Sequence, residues 1–130
     1  FDIPIAFRSL SGISKGDNGT CGIKGILGVI PTGYYALCGI GEHTKDLVFG
    51  KVGQEKLFQI WKGNPILNDI RKGLPKKLEG VCSHCLMAGI CLGSCVAQNY
   101  YRTGSLWGPF WLCAQAETLG VFPTSRLDKI

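Results

Sequence analysis

No stretch of this chain reaches the ~18 apolar residues that a membrane span needs, and no basic-then-apolar signal opens it. Charge is sparse, at 18% of residues, and the lysines and arginines are scattered. Their densest group is only Arg71, Lys72, Lys76 and Lys77. A nucleic-acid interface calls for basic stripes interleaved with aromatics, and none is present, so the net charge of +5 implies neither nucleic acid nor membrane as a partner. That charge also counts every cysteine as neutral, and thiolates holding metal would remove much of it. There is no glycine-rich cofactor loop, no internal repeat and no low-complexity tract. His43 and His84 have no carboxylate partner evident in the sequence, which leaves no nucleophile–base pair. Residues 1–20 contain no cysteine.

What is there fits one domain with a modest core: 130 residues, 45% of them apolar. Nineteen glycines and six prolines indicate many turns and little long regular structure. The first residue is phenylalanine, and the chain is expected to be a piece of a longer protein. Its seven cysteines are the dominant feature. A disulfide framework would leave one thiol over, and small disulfide scaffolds are usually shorter and carry export signals. Metal is the stronger reading. Cys82-x2-Cys85 is a knuckle spacing that aims two sulfurs at one centre. Cys91 and Cys95 are four apart and would share a face if they lay on one helix. Those four could close one zinc site, in an interaction module without redox chemistry, but this leaves Cys21, Cys38 and Cys113 as idle buried thiols. Iron–sulfur chemistry uses all seven, because a [4Fe–4S] cube takes up to four thiolates.

The full spacing is C-x11-G-x4-C from Cys21 through Gly33 to Cys38, then C-x2-C-x5-C-x3-C from Cys82 to Cys95, and finally Cys113. This resembles the seven-cysteine signature of the SPASM domain, the C-terminal extension of a group of radical S-adenosylmethionine enzymes. The resemblance implies a small, irregular, metal-stapled α+β domain over 21–113, with a β-hairpin followed by short helices around two cluster sites. Residues 1–20 would connect to an N-terminal radical S-adenosylmethionine barrel, and 114–130 would be a helix end and tail. It further implies two auxiliary [4Fe–4S] clusters. The first would take Cys21, Cys38 and Cys95; the second would take Cys82, Cys85, Cys91 and Cys113. The interleaving would staple the ends of the domain together, and in a domain short of core metal binding is folding energy. With no upstream cysteine, the first cluster would keep one iron open. Asp17 and His43 are the nearest substitutes, though both read first as solvated loop residues.

Locally, 25–41 reads as a hairpin turning at Pro31-Thr32-Gly33, with Gly33 at positive φ. Residues 53–73 read as helical, with an apolar stripe of Leu57, Ile60 and Trp61. A restart follows at Asn64-Pro65, and Ile66, Ile70 and Leu74 continue the stripe to Gly73. Trp61 is expected in the core. A helix over 95–104 would close at Gly104. Residues 107–122 would put Cys113 in an aromatic helix whose Trp107, Phe110 and Trp111 shield the second cluster. His84 reads as a turn residue, and "PTSRLDKI" reads as a polar exit.

The resemblance places catalysis outside this chain. The barrel would hold S-adenosylmethionine and its own cluster through C-x3-C-x2-C, and the Cys91–Cys95 pair is followed by Gln98 rather than cysteine at the third position. The auxiliary clusters would accept or relay an electron, or engage a peptide or protein substrate. Gly39 follows Cys38 where sulfatase-maturing relatives carry aspartate, which favours peptide modification. Zinc could replace iron in an isolated domain. Thiolate metal sites imply a reducing cytoplasm.

Overall fold

The computed structural model describes residues 3–16 and 19–129. Among them are helices α1 (Leu10–Ser14), α2 (Leu57–Gly63), α3 (Pro65–Gly73), α4 (Ala88–Cys91), α5 (Val96–Thr103) and α6 (Trp111–Thr118), and strands β1 (Gly28–Val29), β2 (Tyr34–Ala36) and β3 (Val48–Lys51). The class is α+β, as expected. The chain divides into two compact units, one of Gly22–Gly73 and one of Phe1–Cys21 with Leu74–Ile130.

The Gly22–Gly73 unit is built on an antiparallel sheet of order β1-β2-β3. Its hairpin turns where the sequence indicates. The Gly33 amide donates to Ile30 O at 2.9 Å and the Ile30 amide to Tyr34 O at 3.0 Å. Pro31 takes the first corner and Gly33 the left-handed position, at φ +85°. Behind the sheet Ala36, Leu37 and Leu47 are fully buried. Gly28 lies flat against the strand end, where an added Cβ would come 3.2 Å from Cys38 Cα. The helical stretch breaks at Asn64 as predicted. Asn64 Oδ1 accepts from the amides of Ile66 and Leu67 at 3.0 and 3.2 Å, and Pro65 opens α3 without losing a hydrogen bond. Ile70 and Leu74 of the expected stripe are buried, with Ile66 half-buried and Leu67 added to them, whereas α2 buries no residue. Leu57 and Phe58 are 56% and 69% exposed and, with Leu27 and Trp61, line an open apolar groove. Trp61 is half-buried rather than in the core, with the Arg71 guanidinium 4.2 Å over its ring.

In the other unit the N-terminal segment supplies core. Ile5 and Ala6 are buried, and Phe7 meets Phe122 edge-on at 5.6 Å. Helix α5 ends at Gly104, φ +73°, whose amide donates to Tyr100 O at 2.8 Å, the glycine cap that the sequence implies. Asn99 of α5 is 1% exposed, and its Nδ2 donates to Gly93 O at 2.7 Å. Helix α6 begins only at Trp111, because Pro109 cannot supply a helical amide and Phe110 is extended. The aromatic helix expected over 107–122 is therefore shorter. The tail is not a polar exit. Its backbone returns to the cysteine knuckle: the Leu86 amide donates to Arg126 O and the Asp128 amide to His84 O, both at 2.8 Å, and Cys85 faces Leu127 in an antiparallel bridge. No helix among the described residues is long and apolar enough to cross a membrane.

Candidate metal centre

The second unit carries a narrow hollow of about 20 Å³, partly open to solvent. Cys82, Cys85, Cys91 and Cys113 all line it. Three local structures deliver them. Cys82 sits in the 3-10 turn Gly80–His84, and Cys85 closes that turn, its amide donating to Cys82 O at 3.4 Å. Cys91 ends α4, and Cys113 lies in the first turns of α6. The rest of the lining is apolar, with Pro4, Ala6, Leu78, Val81, Phe110 and Phe122 among it, and it includes no carboxylate and no imidazole.

Such a pocket makes four reluctant thiols. Burial pushes Cys82 up to about 11, against one amide from Phe110, with the neighbouring Cys91 and Cys85 adding to the rise. Burial pushes Cys113 up to about 12, and Cys82, Cys91 and Cys85 reinforce it. Cys85 and Cys91 are also raised by burial, each opposed by backbone donors. Those donors are the Met87 and Ala88 amides at Cys85, and the Ser94, Gly93 and Ile5 amides at Cys91. A positive centre inverts this balance, because a coordinating thiol is deprotonated outright and the amides then face an anion.

The donors at Cys91 come from an unusual turn. Leu92, Gly93 and Ser94 have φ of 53°, 81° and 64°, three successive left-handed residues, two of which are not glycine. This turn overturns the expectation that Cys91 and Cys95 share a helix face: α4 stops at Cys91 and α5 starts after Cys95. The turn exchanges helical hydrogen bonds for amides aimed at sulfur.

Among the described residues, no three His, Cys, Asp or Glu side chains are close enough to hold a single metal ion. The donor set, all sulfur with amide neighbours, fits an iron–sulfur cluster.

The model of the SPASM iron–sulfur cluster-binding domain matches residues 21–86. The chain belongs to that family. No curated protein and no solved structure gave a match. The SPASM match contains Cys21, Cys38, Cys82 and Cys85; Cys91, Cys95 and Cys113 lie beyond it.

Of the other predicted SPASM ligands, Cys21 is exposed, and Cys38 and Cys95 are half-buried, as Cys85 and Cys91 are. Cys38 follows β2, and Cys95 caps α5. Cys21 lines a separate hollow with Ile3, Gly19, Cys91 and Ser94. Of the possible substitutes, His43 is 77% exposed, 3.4 Å from Glu42, a carboxylate neighbour that the sequence reading overlooked; Asp17 lies outside the described residues. His84 is the exposed turn residue expected. Of the three aromatics proposed as a shield, Phe110 lines the thiol hollow. Trp107 lies under Lys77 and Trp111 under Arg102. Sequence reasoning missed the contribution of Pro4 and Ala6, and it missed the tail. No periodicity marks either one.

Proposed function

We propose that this chain is the auxiliary-cluster domain of a radical S-adenosylmethionine enzyme that modifies a peptide or protein in a reducing cytoplasm. The observation that carries the reading is the apolar hollow lined by Cys82, Cys85, Cys91 and Cys113. These four are the proposed ligands of one [4Fe–4S] cube, and Cys21, Cys38 and Cys95 are the proposed ligands of a second with an open iron. When bound, such clusters supply one-electron transfer.

The chain's own residues set the conditions for that transfer. Phe110, Phe122 and Val81 keep water from the hollow, and low polarity favours the cluster state of smaller net charge. The amides of Met87, Ala88, Gly93 and Ser94 push the other way, by stabilising negative charge on sulfur. Cys21, Cys38 and Cys95 would hold their cube by three irons, and the remaining position would be open to a thiolate of a substrate peptide.

The test is anaerobic reconstitution with iron and sulfide counting. About eight irons and eight sulfides per chain are expected, the content of two cubes. A cysteine-containing peptide should then perturb the paramagnetic spectrum of the reduced chain, and silence with every peptide tried would count against substrate engagement. A chain that takes zinc and refuses iron would instead make this a zinc-binding interaction module.

A further inference from the structure

Between two of the proposed ligands the backbone holds a conformation it would not keep by itself. Leu92, Gly93 and Ser94 are all left-handed, at φ 53°, 81° and 64°, and leucine and serine stay in that region only where their surroundings impose it. A side chain of the next helix does so. Asn99 of α5 is 1% exposed, and its Nδ2 donates to Gly93 O at 2.7 Å. The same carbonyl accepts the Cys95 amide at 2.9 Å, so both of its lone pairs are engaged. Gly93 also lies flat against its neighbours: an added Cβ would come 3.3 Å from Asn99 Nδ2 and 3.1 Å from Leu78 Cδ2. Asn99 is not an easy residue to bury here. Its Oδ1 is enclosed and has no hydrogen-bond partner among the described residues, and a buried acceptor left unmade is unfavourable. A leucine has the same branched shape and no such acceptor. What the amide alone supplies is the bond to Gly93.

The turn matters because of what lies on either side of it. Gly93, Leu78 and Cys91 are among the described residues that line the four-thiol hollow, and Cys95 is not; Cys95 instead caps α5. On one continuous helix two residues four apart would face the same way. The turn puts only the first of them in the hollow. We propose that Asn99 is a positioning residue: by pinning Gly93 O it fixes the Leu92–Ser94 turn, holds Cys91 in the four-thiol hollow and keeps Cys95 out of it for the other centre. This rests on the cluster reading above.

The experiment has a metal-free arm and a loaded arm. In the reduced, metal-free chain the alkylation rate of each cysteine is read by mass spectrometry at one pH, in wild type and in Asn99→Leu. Cys91 is expected to react about tenfold faster in the variant, the size of one hydrogen bond lost from a local opening equilibrium, while Cys113 of the same hollow keeps its rate. No rise at Cys91 overturns the proposal, and so does an equal rise at Cys113, which would make Asn99 a general stabiliser of the unit. Asn99→Asp, with an acceptor where the donor was, should raise Cys91 as Asn99→Leu does. Should neither variant fold, nuclear magnetic resonance on wild type decides. The Asn99 side-chain amide protons should exchange with solvent no faster than the Cys95 amide that shares Gly93 O, and faster exchange overturns the proposal. In the anaerobically reconstituted chain, Cys113→Ser identifies the paramagnetic signal of the hollow's centre. Asn99→Leu should split that signal into two species, one with Cys91 and one with Cys95 on the cluster, and adding Cys95→Ser should restore one. A single unchanged signal in Asn99→Leu overturns the proposal. A wild-type chain that takes up no iron overturns the cluster reading and leaves the alkylation result standing, so the two failures are distinguishable.

Discussion

Two sets of thiols in one small chain are prepared very differently. Cys82, Cys85, Cys91 and Cys113 line one apolar hollow in one unit; Cys82 and Cys113 are buried, Cys85 and Cys91 half-buried, and burial raises all four thiols. Cys21, Cys38 and Cys95 are exposed or half-buried, and they are drawn from both units. The first set is organised by chain packing before any metal arrives, while the second has less packing to organise it. A ligand set that pre-exists spends little ordering free energy on binding; one that must be gathered spends more.

The contrast can be broken most sharply by removing one ligand from the prepared set. Cys113→Ser is expected to halve the iron content of the reconstituted chain, from about eight to about four, the content of one cube, while Cys38→Ser should leave the Cys82–Cys113 centre spectroscopically intact. Equal loss of both signals in both variants would show that the two sets load as one unit. Phe110→Ala comes next. Phe110 is 7% exposed and lines the hollow, and its truncation is expected to cost about 3–5 kcal/mol, read by denaturant unfolding, and to speed loss of the cluster in air.

The metal-free, reduced chain supplies a pH test. In the folded chain Cys82 and Cys113 sit at about 11 and about 12, above the ordinary thiol value of 9.0. Above about pH 9 the unfolded chain therefore releases these protons before the folded one does. The apo fold keeps its full stability below that pH and loses it progressively as pH rises toward 11 and 12. Melting temperatures that stay flat across this window would show that the thiols are not desolvated. Iron loading runs the other way, tightening with pH because binding releases protons. The smallest effect belongs to the other unit. Gly33→Ala, at φ +85° with open space around it, should cost about 1–2 kcal/mol through backbone strain alone, with no change in the iron bound at Cys82–Cys113.

The sequence was most legible where local chemistry decides the structure. Pro31 and Gly33 determine their turn, Asn64-Pro65 the helix restart and Gly104 a helix end, because each acts through its own φ or its own side chain. It was least legible where a distant segment decides. The tail "SRLD" carries no periodic signal, yet it pairs with Cys85 through backbone atoms that every residue possesses. The Cys91–Cys95 spacing reads equally as a helical face or as a left-handed turn, and the amides demanded by sulfur selected the turn. Leu57 looks like core by pattern, and its exposure follows from which neighbours α2 finds, a tertiary fact.

Pro4 and Ala6 at one extreme and Phe122 at the other all line the hollow that opens between Cys82 and Cys113. A ribosome therefore makes the CxxC knuckle after Pro4 and Ala6 but well before Phe110, Cys113 and Phe122. At about 5–20 residues per second, the nascent knuckle stays open for a few seconds, and its thiols are then accessible both to an iron–sulfur carrier and to oxidants. Once Phe122 and the returning tail are in place, entry narrows to the solvent-facing mouth, so the order of synthesis sets an interval for cluster delivery.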